Sequence, residues 1–203
     1  ATGGTGTGGM ATGGTGTGSS GTGGVATGGS GTGGAGTGGS SAEGDIVLTA
    51  PWVHVESCSA DNRDQCSDIP VEYRRPRIGG PDNVPTLTWT PGPANTKSYA
   101  LAFYDLSADI PHWAVWNLPA GTTSYGEGNM PASANASSFD KPEWAGPGSC
   151  KNVYELTIYA LSVEEYMPDG DHKSVREGLE GADAHLVLSR DLVRGAPQQP
   201  CGK

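Results

Sequence analysis

Charge is missing from the first 42 residues of this 203-residue chain: all 12 basic and 22 acidic side chains lie from Glu43 onward. Basic residues are scarce there too, and the net charge of −10 argues against nucleic acid and anionic membranes as partners, because both need neutralising Lys and Arg. No run of about 20 apolar residues exists, so no stretch reads as a membrane-spanning helix. No signal-peptide pattern is visible, and a chain starting at Ala1 rather than Met reads as one with a processed N-terminus. A G-x-S-x-G elbow is absent, which removes the usual serine-hydrolase signature; the expectation is a protein that is not an enzyme. No C-x-x-C pair occurs and the four histidines do not cluster with the cysteines, so zinc is the weaker reading of the cysteines and no metal is expected.

The four cysteines read instead as two disulfides. Cys58 and Cys66 flank a short polar loop, and Cys150 and Cys201 would anchor a Pro/Gln-rich tail to the body. Two bridges imply an oxidising compartment and an extracellular or cell-surface location. Asp61, Asp64 and Asp68 lie in the loop over 56–70, but their spacing matches no EF-hand, and a solvated, disulfide-closed loop is expected.

What fills residues 1–40 is a repeat of five, [Ala/Gly]-Thr-Gly-[Gly/Ser]-x, eight times over, with Thr2, Thr7, Thr12, Thr17, Thr22, Thr27, Thr32 and Thr37 at the fixed position. Glycine at half the positions excludes helix on entropic grounds, and there is no apolar face to bury. Flexible coil or an extended chain remains, the latter reaching on the order of 130 Å. The match of residues 16–21 to G-x-G-x-x-G follows no strand and opens no helix, so it carries no dinucleotide reading. The regular threonines are candidate attachment points for sugars, and ordering of the segment would need self-assembly, glycans or both. The expected domains are therefore 1–42, the low-complexity repeat, and 43–203, a single domain.

Within 43–203 most segments read as strands. Glu43 to Ala50, continued by Trp52 and Val53, is the first; Pro85 to Trp89, Val153 to Leu161 and Leu186 to Val193 follow the same alternation. Ser174 to Gly181 is the best short helix. Residues 120–150 read as one long loop, of a length that is often functional, and Asn135-Ala136-Ser137 is a glycosylation sequon. Arg74, Arg75 and Arg77 form a small basic cluster that reads as a surface ion-pair site.

The centre of the domain is Tyr99 to Pro119. Ala100, Ala102 and Tyr104 alternate with Leu101 and Phe103, then a polar break holds Asp105 and Asp109, and His112 opens an apolar strand. Such a hairpin brings an acid and a histidine together where strands end. The carboxylate would raise the histidine's pKa and burial would lower it; the sequence does not decide between them.

Four segments, in order, resemble the phosphatidylethanolamine-binding protein (Raf kinase inhibitor protein) family, in its bacterial branch. Ile46-Val47-Leu48-Thr49-Ala50-Pro51-Trp52 is similar to the family's opening strand. Asn83 to Asp105 is similar to its N-x-S-P-x-L-x-W block. Asp105 to Thr122 resembles D-P-D-A-P followed by H-W-x-V-x-N-I-P, and Val153 to Leu161 resembles the R-Y-x-F-x-L-Y-A-L strand. The resemblance covers residues about 45 to 194. It implies a mostly β fold, an antiparallel β-sandwich with one or two short helices, preceded here by the extended Gly/Thr-rich repeat. It also implies a small pocket for anions such as phosphate or acetate, with no cofactor. Its ligand-binding positions would fall on Asp105 and His112, with Asp109 and Pro111 from the same loop, Trp113 among the lining aromatics, and Asn152 or its neighbour where the family has a second histidine. Asparagine still donates a hydrogen bond but brings no charge, so weak or absent anion binding is expected.

Two functions follow. One is an extracellular structural or surface protein, fibre- or stalk-forming through an O-glycosylated or self-assembling repeat. The other is a secreted module binding a small anion or lipid head group, with the repeat as a flexible linker.

Overall fold

The computed structural model describes residues 44–139 and 142–201. The repeat threonines, Thr2 to Thr37, lie outside the described residues, as does the start of the expected first strand at Glu43. The described chain forms eight strands: β1 (Leu48–Thr49), β2 (Leu87–Trp89), β3 (Ser98–Asp105), β4 (Ile110–Pro119), β5 (Ser124–Tyr125), β6 (Asn135–Ser138), β7 (Tyr154–Leu161) and β8 (Val187–Gly195), with one α-helix, α1 (His172–Glu180), between β7 and β8. They make a three-stranded sheet in the order β1-β2-β5 and a five-stranded sheet in the order β6-β4-β3-β7-β8, every pairing antiparallel.

Alternation along the central strands sets the two layers. From β3, Tyr99, Leu101 and Phe103 join Leu156 and Ile158 of β7 and Trp113, Val115 and Leu118 of β4 in a core closed from the other side by Leu48, Leu87, Trp89 and Tyr125. The intervening residues are small: Ala100, Ala102 and Ala114 leave room for Val175 and Leu179 of α1. Both faces of the large sheet are thus covered at its centre, the small sheet on one side and the helix on the other. Burying each of these aliphatic or aromatic side chains is worth about 1.5–3 kcal/mol.

Several element bounds differ from the sequence reading for physical reasons. The helix starts at His172 because the Asp171 side chain caps it, accepting from the Lys173 amide at 2.9 Å. The first strand shrinks to Leu48–Thr49. Pro51 ends it and Trp52 turns into the core, 3 % exposed. The long 120–150 stretch contains β5 and β6, and its end, Trp144 to Gly148, is buried without regular structure. Arg74 is not a surface ion-pair residue. It is 3 % exposed and gives its guanidinium to Asp68 at 2.6 Å and to the Ile69 and Gln198 carbonyls at 2.7 and 3.0 Å, pinning the C-terminal tail. Both expected disulfides are present, Cys58–Cys66 and Cys150–Cys201. No helix among the described residues is long and apolar enough to cross a membrane.

Candidate functional site

The β3–β4 hairpin places the site. Its turn, Leu106 to Asp109, is held by Asp105, whose Oδ1 accepts the Ser107 and Ala108 amides at 3.0 Å each, and it closes with Asp109 in the left-handed region at φ 58°. An aspartate is one of the few side chains that both caps such a turn and tolerates that conformation. The register then slips by one residue. Phe103 pairs with Trp113 but Tyr104 pairs with Pro111, so His112 is the extra residue of a β-bulge, the device that re-aims a side chain at a strand end. Through that bulge the His112 ring meets the inner-face aromatics, lying edge-on to Phe103 at 5.8 Å and to Tyr154 at 5.3 Å.

Asp105 and His112 are both 3 % exposed, and Asp105 Oδ2 lies 3.9 Å from His112 Nε2, too far for a direct hydrogen bond. Asn152 completes the group: its Nδ2 donates to the same Oδ2 at 2.6 Å, and its Oδ1 accepts from the Ser149 hydroxyl at 3.0 Å. On the other side of the imidazole, Nδ1 sits 3.2 and 3.1 Å from the Ala145 and Gly146 carbonyls. Carbonyls only accept, so Nδ1 carries the proton and donates to both. In the neutral ring Nε2 is then a bare acceptor facing a carboxylate. Burial holds the His112 pKa below its ordinary value, with the nearby Arg75 charge acting in the same direction. The two carbonyls and Asp105 oppose that shift without reversing it. Of the two opposing influences named from the sequence, burial is the larger.

The segment supplying those carbonyls is fixed by close packing. The Gly146 amide donates to Asp82 Oδ1 at 2.8 Å, and a β-carbon on Gly146 would lie 1.9 Å from the Tyr73 carbonyl oxygen, so only glycine fits. Trp144 packs on Phe103, tilted, at 4.7 Å and donates to Tyr73 O at 3.2 Å. Two further residues line the site. The Tyr154 hydroxyl accepts the Gly148 and Ser149 amides at 3.2 and 3.0 Å, and burial together with the Asp105 charge pushes its pKa up. Phe139 covers the His112 ring edge-on at 5.2 Å while remaining 42 % exposed. Sequence reading missed Tyr154, Phe139 and the 144–148 segment. The available signal was a tryptophan inside a Gly/Pro-rich loop, which has to be buried somewhere.

Three expected ligand positions lie elsewhere. Asp109 takes the Tyr104 hydroxyl at 2.5 Å, and with Pro111 it lines a cavity of about 560 Å³ shared with Lys173, Arg176 and Glu180. That cavity lies on the helix-covered side, because residues on either side of the turn do not share the face of the bulged His112. Trp113 is fully buried in the inter-sheet core, packed on Tyr125 and Trp144 at 5.2 and 5.3 Å, its indole donating to Pro142 O at 3.1 Å. Among the described residues no three His, Cys, Asp or Glu side chains converge as metal ligands.

An antiparallel two-sheet fold with one covering helix and a buried acid–histidine–amide group at a strand end defines the class: a β-sandwich with a small polar site. The sequence pattern of the family described as "Phosphatidylethanolamine-binding protein" matches residues 60–196, and the chain belongs to that family. It is similar to the UPF0098 protein YbhB of Escherichia coli (strain K12), 33% identical over 117 residues, covering 50% of this chain and 70% of that protein. It is also similar to a UPF0098 protein of Aquifex aeolicus (strain VF5), 29% identical over 139 residues, covering 59% and 79%. In fold it is similar to the crystal structures of Escherichia coli YbcL, described as a member of the mammalian PEBP family (TM-score 0.53, 18% identity, 76% of this chain and 98% of that one), and of the Chlamydia trachomatis D/UW-3/CX homologue CT736 (TM-score 0.54, 20% identity, 77% and 99%).

Proposed function

We propose that residues 43–203 are a binding module for a small oxyanion, free or as the head group of a larger molecule, and that residues 1–42 tether it in an oxidising, extracellular setting. The observation that supports this most is the meeting of Asp105, His112 and Asn152 under aromatic walls, inside a family named for a phosphate-bearing ligand. The fibre-forming reading rests on the repeat alone, and nothing in the domain favours it. The module is read as a binder rather than an enzyme: His112 Nδ1 is committed to two carbonyls.

The chemistry of the site constrains its ligand. Asp105 Oδ2 and neutral His112 Nε2 are two acceptors. A ligand therefore enters either by donating its own O–H into the 3.9 Å gap or by bringing a proton that turns Nε2 into a donor. The second route couples anion binding to proton uptake, because burial keeps the free imidazole neutral. Titration of the full chain with acetate and with inorganic phosphate, read by NMR on His112, Asn152 and Tyr154 resonances, is the test. Saturable shifts at these residues, with acetate affinity rising as pH falls and no such rise in His112→Gln, are expected. Absence of any saturable shift with either anion would overturn the reading.

A further inference from the structure

The site has an acidic floor in an acidic domain, and Asn152, where the family resemblance leads one to expect a histidine, brings no charge. Attraction for an anion must come from another cation. Two arginines of the described residues stand on that side of the domain: Arg75, whose charge reaches His112, and Arg77. Arg77 sits in a short 3-10 turn, Pro76–Ile78, with its side chain exposed, and none of the ion pairs found among the described residues involves it. The other arginines with described partners are committed: Arg74 to Asp68, Arg63 to Asp64, Arg176 and Arg194 to Glu155, Arg190 to Glu180.

Arg77 lies flat against the backbone that lines the site. A β-carbon on Gly148 would fall 2.2, 2.5 and 2.6 Å from its Nη2, Nε and Cζ, so the guanidinium occupies the space that a side chain there would take. Gly148 is buried and its amide donates to the Tyr154 hydroxyl, the group that feels the Asp105 charge and whose ring abuts His112 at 5.3 Å. An exposed arginine gains little from salt-screened surface charge in general. One held flat over a glycine loses less rotamer freedom when it binds, and its planar fork matches two oxygens of one oxyanion.

We propose that Arg77 is the anion-contacting residue at the mouth of the Asp105–His112–Asn152 site, supplying the positive charge that Asn152 does not, with the glycine at 148 required to seat it. The proposal rests on the oxyanion-binding reading of that site. The division of labour is chemical. The floor accepts the proton-bearing oxygen of a hydrogen phosphate group, and the mouth takes its unprotonated oxygens in a bidentate contact.

Two substitutions test it from opposite sides: Arg77→Gln removes the cation, and Gly148→Ala displaces it by swinging a flexible side chain aside. Lys97→Gln, a cation at the Ser98 end of β3 beside Glu164 and Glu165, controls for net charge. Inorganic phosphate is titrated into the full chain by calorimetry at fixed salt near pH 7, with vesicles of phosphatidylcholine, with and without phosphatidate, as a second arm. Both site variants are expected to unfold at the parent temperature and to lose about tenfold to a hundredfold in phosphate affinity, while Lys97→Gln and Arg77→Lys lose less. The same pattern on phosphatidate vesicles alone supports the proposal with a lipid head group as the source. Equal loss in Lys97→Gln, or parent affinity in both Arg77→Gln and Gly148→Ala, overturns the assignment of Arg77 and leaves the site reading intact. No binding of either probe by the unaltered chain overturns the site reading itself.

Discussion

Asn152 Nδ2 stands 2.6 Å from Asp105 Oδ2, a side-chain hydrogen bond across 47 positions of sequence. It links the end of β3 to the residue two before β7, and these strands are hydrogen-bonded neighbours with Asp105 opposite Tyr154. The bond fixes the carboxylate that faces His112, so the amide at 152 holds the acid in place as well as offering a donor. Loss of the donor leaves a buried acceptor short of one partner, and such losses cost about 1–3 kcal/mol. Asn152→Ala should therefore lower stability by about 1–2 kcal/mol, since the amide itself is half-buried, seen as a lower denaturant midpoint at unchanged slope. A change of only a few tenths would show that water replaces the amide at no cost.

Stability should fall as the solution is acidified. Burial lowers the pKa of His112 and also of His172, whose Nδ1 lies 3.0 Å from the Ser137 hydroxyl and whose Nε2 has no hydrogen-bond partner among the described residues. A lowered histidine pKa means the unfolded chain takes up a proton first. The stability present above the unfolded value, about 6.5, is lost as pH falls from there toward the folded value. Thermal unfolding between about pH 7.5 and 5.5 measures this, and His112→Gln should flatten the decline. An unchanged profile in that variant would assign the acid sensitivity to other groups.

The two disulfides should differ in worth. Cys58–Cys66 closes a span of 8 positions and Cys150–Cys201 a span of 51. Loop-closure entropy assigns about 2.5 kcal/mol to the first and about 4 to the second. The larger bridge also anchors the Ser149–Asn152 segment that reaches Asp105. Replacing Cys150 and Cys201 by serine should cost more stability than replacing Cys58 and Cys66, and should weaken anion binding as well. Equal costs, compared by denaturant titration of the two double variants, would remove the ranking.

Glu155 is the buried charge of the opposite face. It is 2 % exposed and receives Arg176 at 3.1 Å and Arg194 at 2.8 Å, while the Arg176 guanidinium also lies 4.3 Å over the Tyr104 ring. Glu155→Gln leaves two guanidiniums without their shared partner. The cost should be about 2–3 kcal/mol, below that of a fully buried pair because both arginines reach water. Calorimetric unfolding checks it; a variant as stable as the parent would mean that Glu180 and solvent take over both cations.

The strands, the Cys58–Cys66 bridge and the nearness of Asp105 to His112 were legible in the sequence because each is a short-range property, and with that bridge assigned the even cysteine count left Cys150 to pair with Cys201. Alternation with period two marks which residues of β3 face the core, two cysteines eight positions apart close one loop, and an acid and a histidine on either side of a four-residue turn meet whatever the rest of the chain does. The pentapeptide repeat was equally plain, being composition alone. Tertiary structure decided the rest. A single-residue bulge turned His112 toward the inner aromatics, which left Asp109 and Pro111 facing another cavity, and no local pattern announces such a slip. Strand pairing between β3 and β7 brought Asn152 to Asp105. Buried packing of a loop on Asp82 and Tyr73 aimed two carbonyls at the imidazole and thereby fixed its tautomer, and the same fold took Arg74 inward while leaving Arg77 exposed against Gly148. Those are long-range contacts between segments that are unremarkable one by one, and their geometry exists only once the sheets have closed.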